Sequence, residues 1–455
     1  MDRQKSETVL FETAPVPFAL ATMAFPTIVS QIITLIYNIA DTWFIGRTNN
    51  PYMIAASSLV LTVFLALTAL SNLFGVGGGS LVVRLLGSSQ EEEAQKVAAL
   101  SLTMAAGSAL LFSLFCFLLM NPLLRLLGAS DLTLGYARQY LLFVVVIGGI
   151  PTVLSIAMGT MIRNVGYSHL AGFGLSFGGA LNILLDPLFM FVLLPDGCQV
   201  MGAGIATMLS NLVTFLFFLF VYRNLTGKTV LAIPRRIEKI SSSSIRSLFS
   251  VGIPASLSLF LFDLTNIVIN RLSSSHGDIE LAAMGIVLKA ERLPLNIGIG
   301  ICLGMVPLLA YNYASGNIKR MHSFFSAARL AGVVVSFACV IFYRFSAPLI
   351  IRVFIKDAET VRYGTHFLQA RCFATPFMFL SFHMVHFMQS IDRGGWSFWL
   401  AVIRQLGLNI PIVLALNHLF GMSGIVWTQT AADFINVVIS YVIYHHVIRS
   451  IRQSD

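Results

Sequence analysis

Two acidic residues, Asp41 and Asp186, stand inside long apolar stretches of the chain. An ionised group at membrane depth costs about 2.5–3.5 kcal/mol on insertion scales, so it usually faces a cavity or a partner. Ser30, Thr34, Tyr37, Asn38 and Asp41 recur at three- and four-residue steps, which places them on one face of a helix. Pro26, one turn below, should loosen that helix and let the face bend. The plainer alternative for Asp41 is simple solvation near a span end, because Gly46 and Arg47 follow closely. Asn182 and Asp186 are one helical turn apart and share a face. Gly178 and Gly179 just before them would admit a close neighbour. Thr207, Ser210, Asn211 and Thr214 form another polar stripe. If these stripes fold inward, carboxylates, an amide and hydroxyls converge into a hard oxygen cage for Na⁺ or a shared proton. The alternative is an interhelical hydrogen-bond network with no ion.

Composition says what must position these groups. Apolar residues are 56% of the 455, charged residues 11%, and mean hydropathy is +0.82. Soluble domains run at roughly 45–50% apolar and 25% charged, so the solvent here is lipid. The net charge of +9 is not a nucleic-acid footprint, since Lys and Arg fall in short loop clusters such as Arg235, Arg236, Lys239 and Arg246. The five cysteines are scattered and read as small hydrophobes, not a disulfide framework. The first apolar run is too long for a signal-peptide core and should remain as the first span.

Apolar runs of about 20 residues predict spans near 18–45, 54–84, 94–120, 133–160, 169–194 and 203–222. A second set follows near 247–271, 281–312, 323–345, 360–390, 396–418 and 424–446. The expected fold is an all-α integral membrane protein of about twelve transmembrane helices in two pseudo-symmetric six-helix bundles. The first bundle is placed at 1–222 and the second at 247–455. Residues 223–246, basic and carrying Pro234 and the run Ser241–Ser244, read as a cytoplasmic connector. With both termini cytoplasmic, most loop Lys and Arg fall on the inner side.

The halves repeat at an offset of about 227 residues. Pro26 matches Pro254, Asn38 matches Asn266, Gly77 matches Gly304, and Asn182 matches Asn409. Ala55-Ala56 and Ala282-Ala283, Pro122 and Pro348, Pro151 and Pro376, and Gly204-Ile205 and Gly424-Ile425 continue the series. Six spans per copy make the repeats parallel, with substrate sites expected where they meet.

The chain resembles the multidrug and toxic compound extrusion (MATE) family along essentially its whole length. FPTIVSQIITLIYNIADTWFIG in the first span, MIRNVG at 161–166, NILLDP at 182–187, GAGIAT at 202–207 and AAMGIVLKAE at 282–291 carry the resemblance. It is most similar to the bacterial branch that includes MepA-like and DinF-like pumps. The resemblance implies efflux of amphipathic, often cationic, compounds by antiport against H⁺ or Na⁺, and hence antibiotic resistance. It implies the bacterial cytoplasmic (inner) membrane as location, and a monomer in contact with lipid is expected. It maps the coupling-ion site onto Asp41, Asn182, Asp186 and Thr207, with Tyr37, Asn38, Tyr140 and Asn164 in the surrounding hydrogen-bond shell.

The second half departs from this pattern. Asn409 is kept, but Val413 stands where Asp186 would and Ile269 where Asp41 would. A single ion site in the first half is therefore expected. Asp263, Glu291 and Asp433 are the second half's own acids, and Glu291, between Lys289 and Arg292, reads as a member of an internal ion pair. His383 and His386 have a ligand-compatible spacing but no third partner, so no metal site is assigned. No cofactor and no catalytic centre are expected either, because no H-E-x-x-H or G-x-S-x-G pattern occurs. The competing cargo is a lipid-linked or nucleotide precursor, as in flippase relatives. Against it, few basic residues stand well inside spans, Lys289, Arg292, Arg371 and Arg404 among them.

Overall fold

The computed structural model describes residues 9–231 and 240–454, without the side chains of Leu259, Asp263 and residues 450 onward. Arg235, Arg236, Lys239, Pro234 and the side chain of Asp263 thus lie outside the described residues, as does the middle of the predicted connector. Among the described residues there is no strand, only one isolated bridge between Thr226 and Thr229.

The protein is a multi-pass membrane protein. Among the described residues ten helices are long and apolar enough to cross a bilayer: α1 (Val16–Gly46), α2 (Pro51–Gly87), α3 (Glu91–Leu118), α5 (Ser168–Leu193), α6 (Gln199–Leu225), α7 (Ser242–Ser273), α8 (Asp278–Ala314), α9 (Ile318–Phe354), α11 (Gly394–Phe420) and α12 (Met422–Arg449). An eleventh passage, α4, consists of Asp131–Ile147 and Gly149–Asn164, bent by 48°. A further helical segment, α10, is divided into Ala358–Arg371 and Thr375–Ser390 by a 3-10 turn at Cys372–Ala374. Neither piece alone reaches spanning length, although the sequence predicts a span there. α2 has 37 residues, about 55 Å of helix against a hydrocarbon core of about 30 Å, so it extends well beyond the lipid.

The face from which α1 starts is here the proximal face and the opposite one the distal face. The halves meet where small residues let backbones approach. Gly77 of α2 lies against the Leu248 carbonyl and Gly252 of α7. Gly304 and Gly300 of α8 lie against Ala24 and Ile28 of α1. Gly77 and Gly304 are repeat-related, so one structural device is used twice about the pseudo-twofold axis. A polar clamp joins the halves nearer the proximal face. Arg84 of α2 donates to Ser247 Oγ of α7 (2.7 Å), Asp392 Oδ1 (2.9 Å) and the Gln389 carbonyl (3.3 Å). The segment before α1 is tied down too. Arg320 Nε donates to the Phe11 carbonyl (2.7 Å), and Tyr311 donates to Glu12 (2.6 Å). Distally, α1 is open, with Ile36, Asn38, Ile39 and Trp43 exposed.

These contacts leave no room for a side chain at Gly304. Gly304→Val should overpack the α1–α8 contact by about 1–3 kcal/mol and lower the melting temperature of the purified protein. Gly107→Val, where a Cβ meets nothing, should leave it close to wild type. Equal melting of the two variants would show that this contact does not hold the halves together.

Candidate cation-binding site

The site is built by the way α5 lies along α1. Gly172 packs on Pro26 and its carbonyl, and Gly179, two turns later, packs on Ile33 and Tyr37. At the next seven-residue step α5 reaches Asp186 while α1 reaches Ala40, the residue before Asp41. Two glycines thus bring two carboxylates together. Their nearness shows electrostatically, for the charge of Asp41 acts on Asp186 and both act on the hydroxyls of Tyr37 and Tyr140. Pro26 leaves a gap in the hydrogen bonding of α1. Ser168, at the start of α5, donates to the neighbouring Met23 carbonyl at 2.6 Å and fixes the two helices there. On the other side of α5, Gly178 packs on Thr214 of α6, and Asn182, one turn on, faces the same helix.

Asn182 is the bridge. Its Nδ2 donates to Asp186 Oδ1 (3.4 Å) and to Thr207 Oγ1 (3.4 Å). Tyr140 of α4 donates to Asp41 Oδ2 at 3.5 Å. Three oxygens of this group, Asp41 Oδ1, Asn182 Oδ1 and Asp186 Oδ2, are buried and have no hydrogen-bond partner among the described residues. Buried acceptors of this kind are rare because each carries an uncompensated desolvation cost. An oxygen-only set with two carboxylates is the donor chemistry of Na⁺ or of a proton shared between the acids.

Irregular helix flanks the group on both sides. A π-helical stretch, Leu142–Ile147, follows Tyr140, and another, Phe189–Leu193, follows Asp186 and Pro187. Such turns widen a helix locally and gather at functional positions. Neither stretch is among the features expected from the sequence, although Pro187, which removes a backbone donor inside a span, signals irregularity there.

Not every expected member is present. Tyr37 is beside the acids, and Asn38 reaches it through a side-chain hydrogen bond while itself exposed. Asn164 is elsewhere: it lies against Gly79 of α2 near the proximal end, on the order of 30 Å of helix from Tyr140. The stripe on α6 does not converge as a whole. Ser210 and Thr214 donate to carbonyls of their own helix at 2.5 and 2.8 Å, and Asn211 donates to Thr152 of α4 at 2.9 Å.

In the second bundle Glu291 and Asp433 pair with arginines. Glu291 accepts from Arg371 Nε and Nη2 at 2.7 and 3.0 Å. The expected ion pair exists, but its partner is on α10 and is neither of the adjacent bases. Asp433 accepts from Arg404 at 2.5 and 3.1 Å and from Gln429 at 2.6 Å. Ile269 and Val413 are fully buried apolar residues. His383 and His386 are within hydrogen-bond distance of the carbonyls of Phe325 (3.2 Å) and Phe382 (2.8 Å). Among the described residues no group of three His, Cys, Asp or Glu is arranged to hold a metal.

Comparison with known proteins agrees with this architecture. The MatE family model matches residues 26–188 and 254–414. Over 423 residues the chain is 28% identical to the multidrug export protein MepA of Staphylococcus aureus, covering 93% of this chain and 92% of that protein. It is 28% identical to MepA of Staphylococcus haemolyticus, with coverage of 95% and 94%. Its fold superposes with a TM-score of 0.92 on the outward-facing conformation of a multidrug resistance MATE family transporter of the MOP superfamily, at 21% identity and 98% coverage of both chains. A MATE structure in a bent conformation gives 0.89, also at 21% identity, with 99% coverage of both chains.

The bridging role of Asn182 is testable without transport. Melting temperature should respond to Na⁺, or to pH, in the wild type, because a ligand that binds only the folded state stabilises it. Asn182→Leu should abolish that response, and Thr207→Val should weaken it. An undiminished response in Asn182→Leu would place the ion elsewhere.

Proposed function

The chain belongs to the MatE family, and from that premise we propose that it is a secondary active multidrug exporter. It moves amphipathic, mainly cationic compounds outward by antiport against H⁺ or Na⁺. Asp41 and Asp186 carry the ion, Asn182 and Thr207 complete its shell, and Tyr140 orients Asp41. The location that goes with this reading is the bacterial cytoplasmic membrane, with the proximal face cytoplasmic and both termini inside. On this reading the protein is a monomer and catalyses no covalent chemistry.

The observation that carries the proposal is the pair of facing carboxylates with buried, unpartnered oxygens in the first bundle. An empty site of this kind holds two acids that repel each other when both are charged, and a bound cation relieves that cost. The ion can drive transport only if it binds one conformation more tightly than the other, since equal affinity shifts nothing. Contacts between the halves lie along Ala24–Ile28, Leu73–Gly77 and the Arg84 clamp. Opening the proximal side must break them, while on the distal side α1 exposes Asn38, one turn before Asp41. Ion binding at α1 and α5 therefore acts on the helix that also forms the contact with α8.

A lipid-linked polyphosphate cargo is less well supported. It would call for several uncommitted basic side chains, whereas Arg371 and Arg404 are already paired with Glu291 and Asp433.

The test is efflux of a fluorescent cationic dye from vesicles with proton and sodium gradients imposed separately. One gradient should drive wild-type transport, and Asp41→Asn, inserted at equal level, should fall to background. Driven efflux that survives in Asp41→Asn would remove this residue from the coupling mechanism.

A further inference from the structure

Residues 9–14, ahead of α1, touch both halves of the protein at the proximal face. The segment is a single turn, closed by bonds from the Thr13 and Ala14 amides to the Val9 carbonyl at 3.0 and 2.8 Å. Pro15, with φ −53° and ψ 133°, separates this turn from α1. An extended proline ends one helical stretch before the next begins, so the segment is a strap attached to α1 and not its first turn.

Phe11 anchors the strap and is 4% exposed. Its ring stacks on Tyr311 of α8, with centres 5.0 Å apart. The ring edge lies against Gly166, in the turn between α4 and α5. Gly166 has φ +100° and carries no side chain, so the Phe11 ring occupies the space beside it. Phe11 therefore meets the second half on one side and the first half on the other. Gly87, at the end of α2, packs on the Tyr311 carbonyl, which puts the strap on the line along which the halves would part.

Four bonds from the second half hold the strap. Asn312 Nδ2 and Arg320 Nε both donate to the Phe11 carbonyl, at 3.1 and 2.7 Å. Arg320 Nη2 donates to the Ala14 carbonyl and the Tyr311 hydroxyl to Glu12, each at 2.6 Å. Bonds with one charged partner are stronger than neutral ones, and three of these four have one. If the halves separate on this face, Phe11 cannot keep both Gly166 and Tyr311.

We propose that residues 9–14 are a latch. Docked on Tyr311, Asn312 and Arg320, they hold the proximal face shut, and their release lets it open. The latch acts on the same junction as the Arg84 clamp but through different residues. The claim concerns what keeps this face closed, whatever the cargo or coupling ion, so a failed dye-efflux test would leave it standing.

The test reads the junction from the side of the Arg84 clamp. Ser80 of α2 is fully buried and donates to the Gln389 carbonyl of the second half at 3.1 Å. The full chain carrying Ser80→Cys is placed in nanodiscs and treated with N-ethylmaleimide, and each cysteine is followed by peptide mass spectrometry. Reaction through a briefly opened state tracks the population of that state, so ratios between variants report the opening equilibrium. Phe11→Ala and Arg320→Ala should each speed reaction of the introduced thiol at least about tenfold. Tyr311→Phe, which removes one bond and keeps the stack, should speed it about two- to tenfold. Cys116, buried in the first bundle near the distal face, should react no faster than without these changes. An unchanged rate at position 80 would overturn the proposal. A matching rise at Cys116 would overturn it too, because it would show a loosened fold. Should Phe11→Ala and Arg320→Ala not fold, Tyr311→Phe decides by the same two readings.

Discussion

Along the contact between α5 and α1, Gly172 and Gly179 remove the side chains that would hold the helices apart, and Asp186 arrives opposite Asp41 two turns further on. Inside lipid there is no water to satisfy a carboxylate, so its partners must come from the next helix. One close approach therefore sets both the packing of the first bundle and the chemistry at its centre. Asn182 ties the pair to α6 and Tyr140 ties it to α4. Three buried oxygens, Asp41 Oδ1, Asn182 Oδ1 and Asp186 Oδ2, are left without a partner among the described residues.

The same reasoning separates the two halves. Both use glycine for close backbone approach, and Gly77 and Gly304 serve the junction between them in related ways. Their buried charges are handled differently. In the first half Asp41 and Asp186 lie near enough for their charges to interact, and neither is paired with a base. In the second, Glu291 and Asp433 each pair with an arginine, and a bidentate pair offsets its own desolvation without an ion. On the proposed function, this asymmetry would make the first bundle the ion-responsive one, and the junction at α1 and α8 would carry that response to the second.

Much of this was legible in the sequence. Lipid solvation forces long apolar runs, so spans could be read from composition, with ends within several residues of the observed helices apart from α9. Prolines, asparagines and glycines in a common order disclosed the repeat. Asp41, Asn182 and Asp186 were legible because helical spacing puts them on defined faces. What spacing cannot supply is the register between helices. Asn164 belongs to a motif near the proximal end of α4 and could not be located without knowing how α4 lies on α2. Ser210 and Thr214 looked like ligands, yet a hydroxyl in a helix can bond its own preceding turn, and sequence does not say which it will do. Glu291 was read as paired, but its partner 80 residues away depended on tertiary structure. The π-helical stretches were hidden because they alter hydrogen bonding without altering apolar character.

The central claim is that Asp41 and Asp186 act as one site. It is tested most directly by a double-mutant cycle on cation affinity, with Asp41→Asn, Asp186→Asn and both together in purified protein. A shared site predicts strong non-additivity, the double variant binding the ion little worse than either single one. Independent losses that simply add would contradict the account and show two carboxylates working apart.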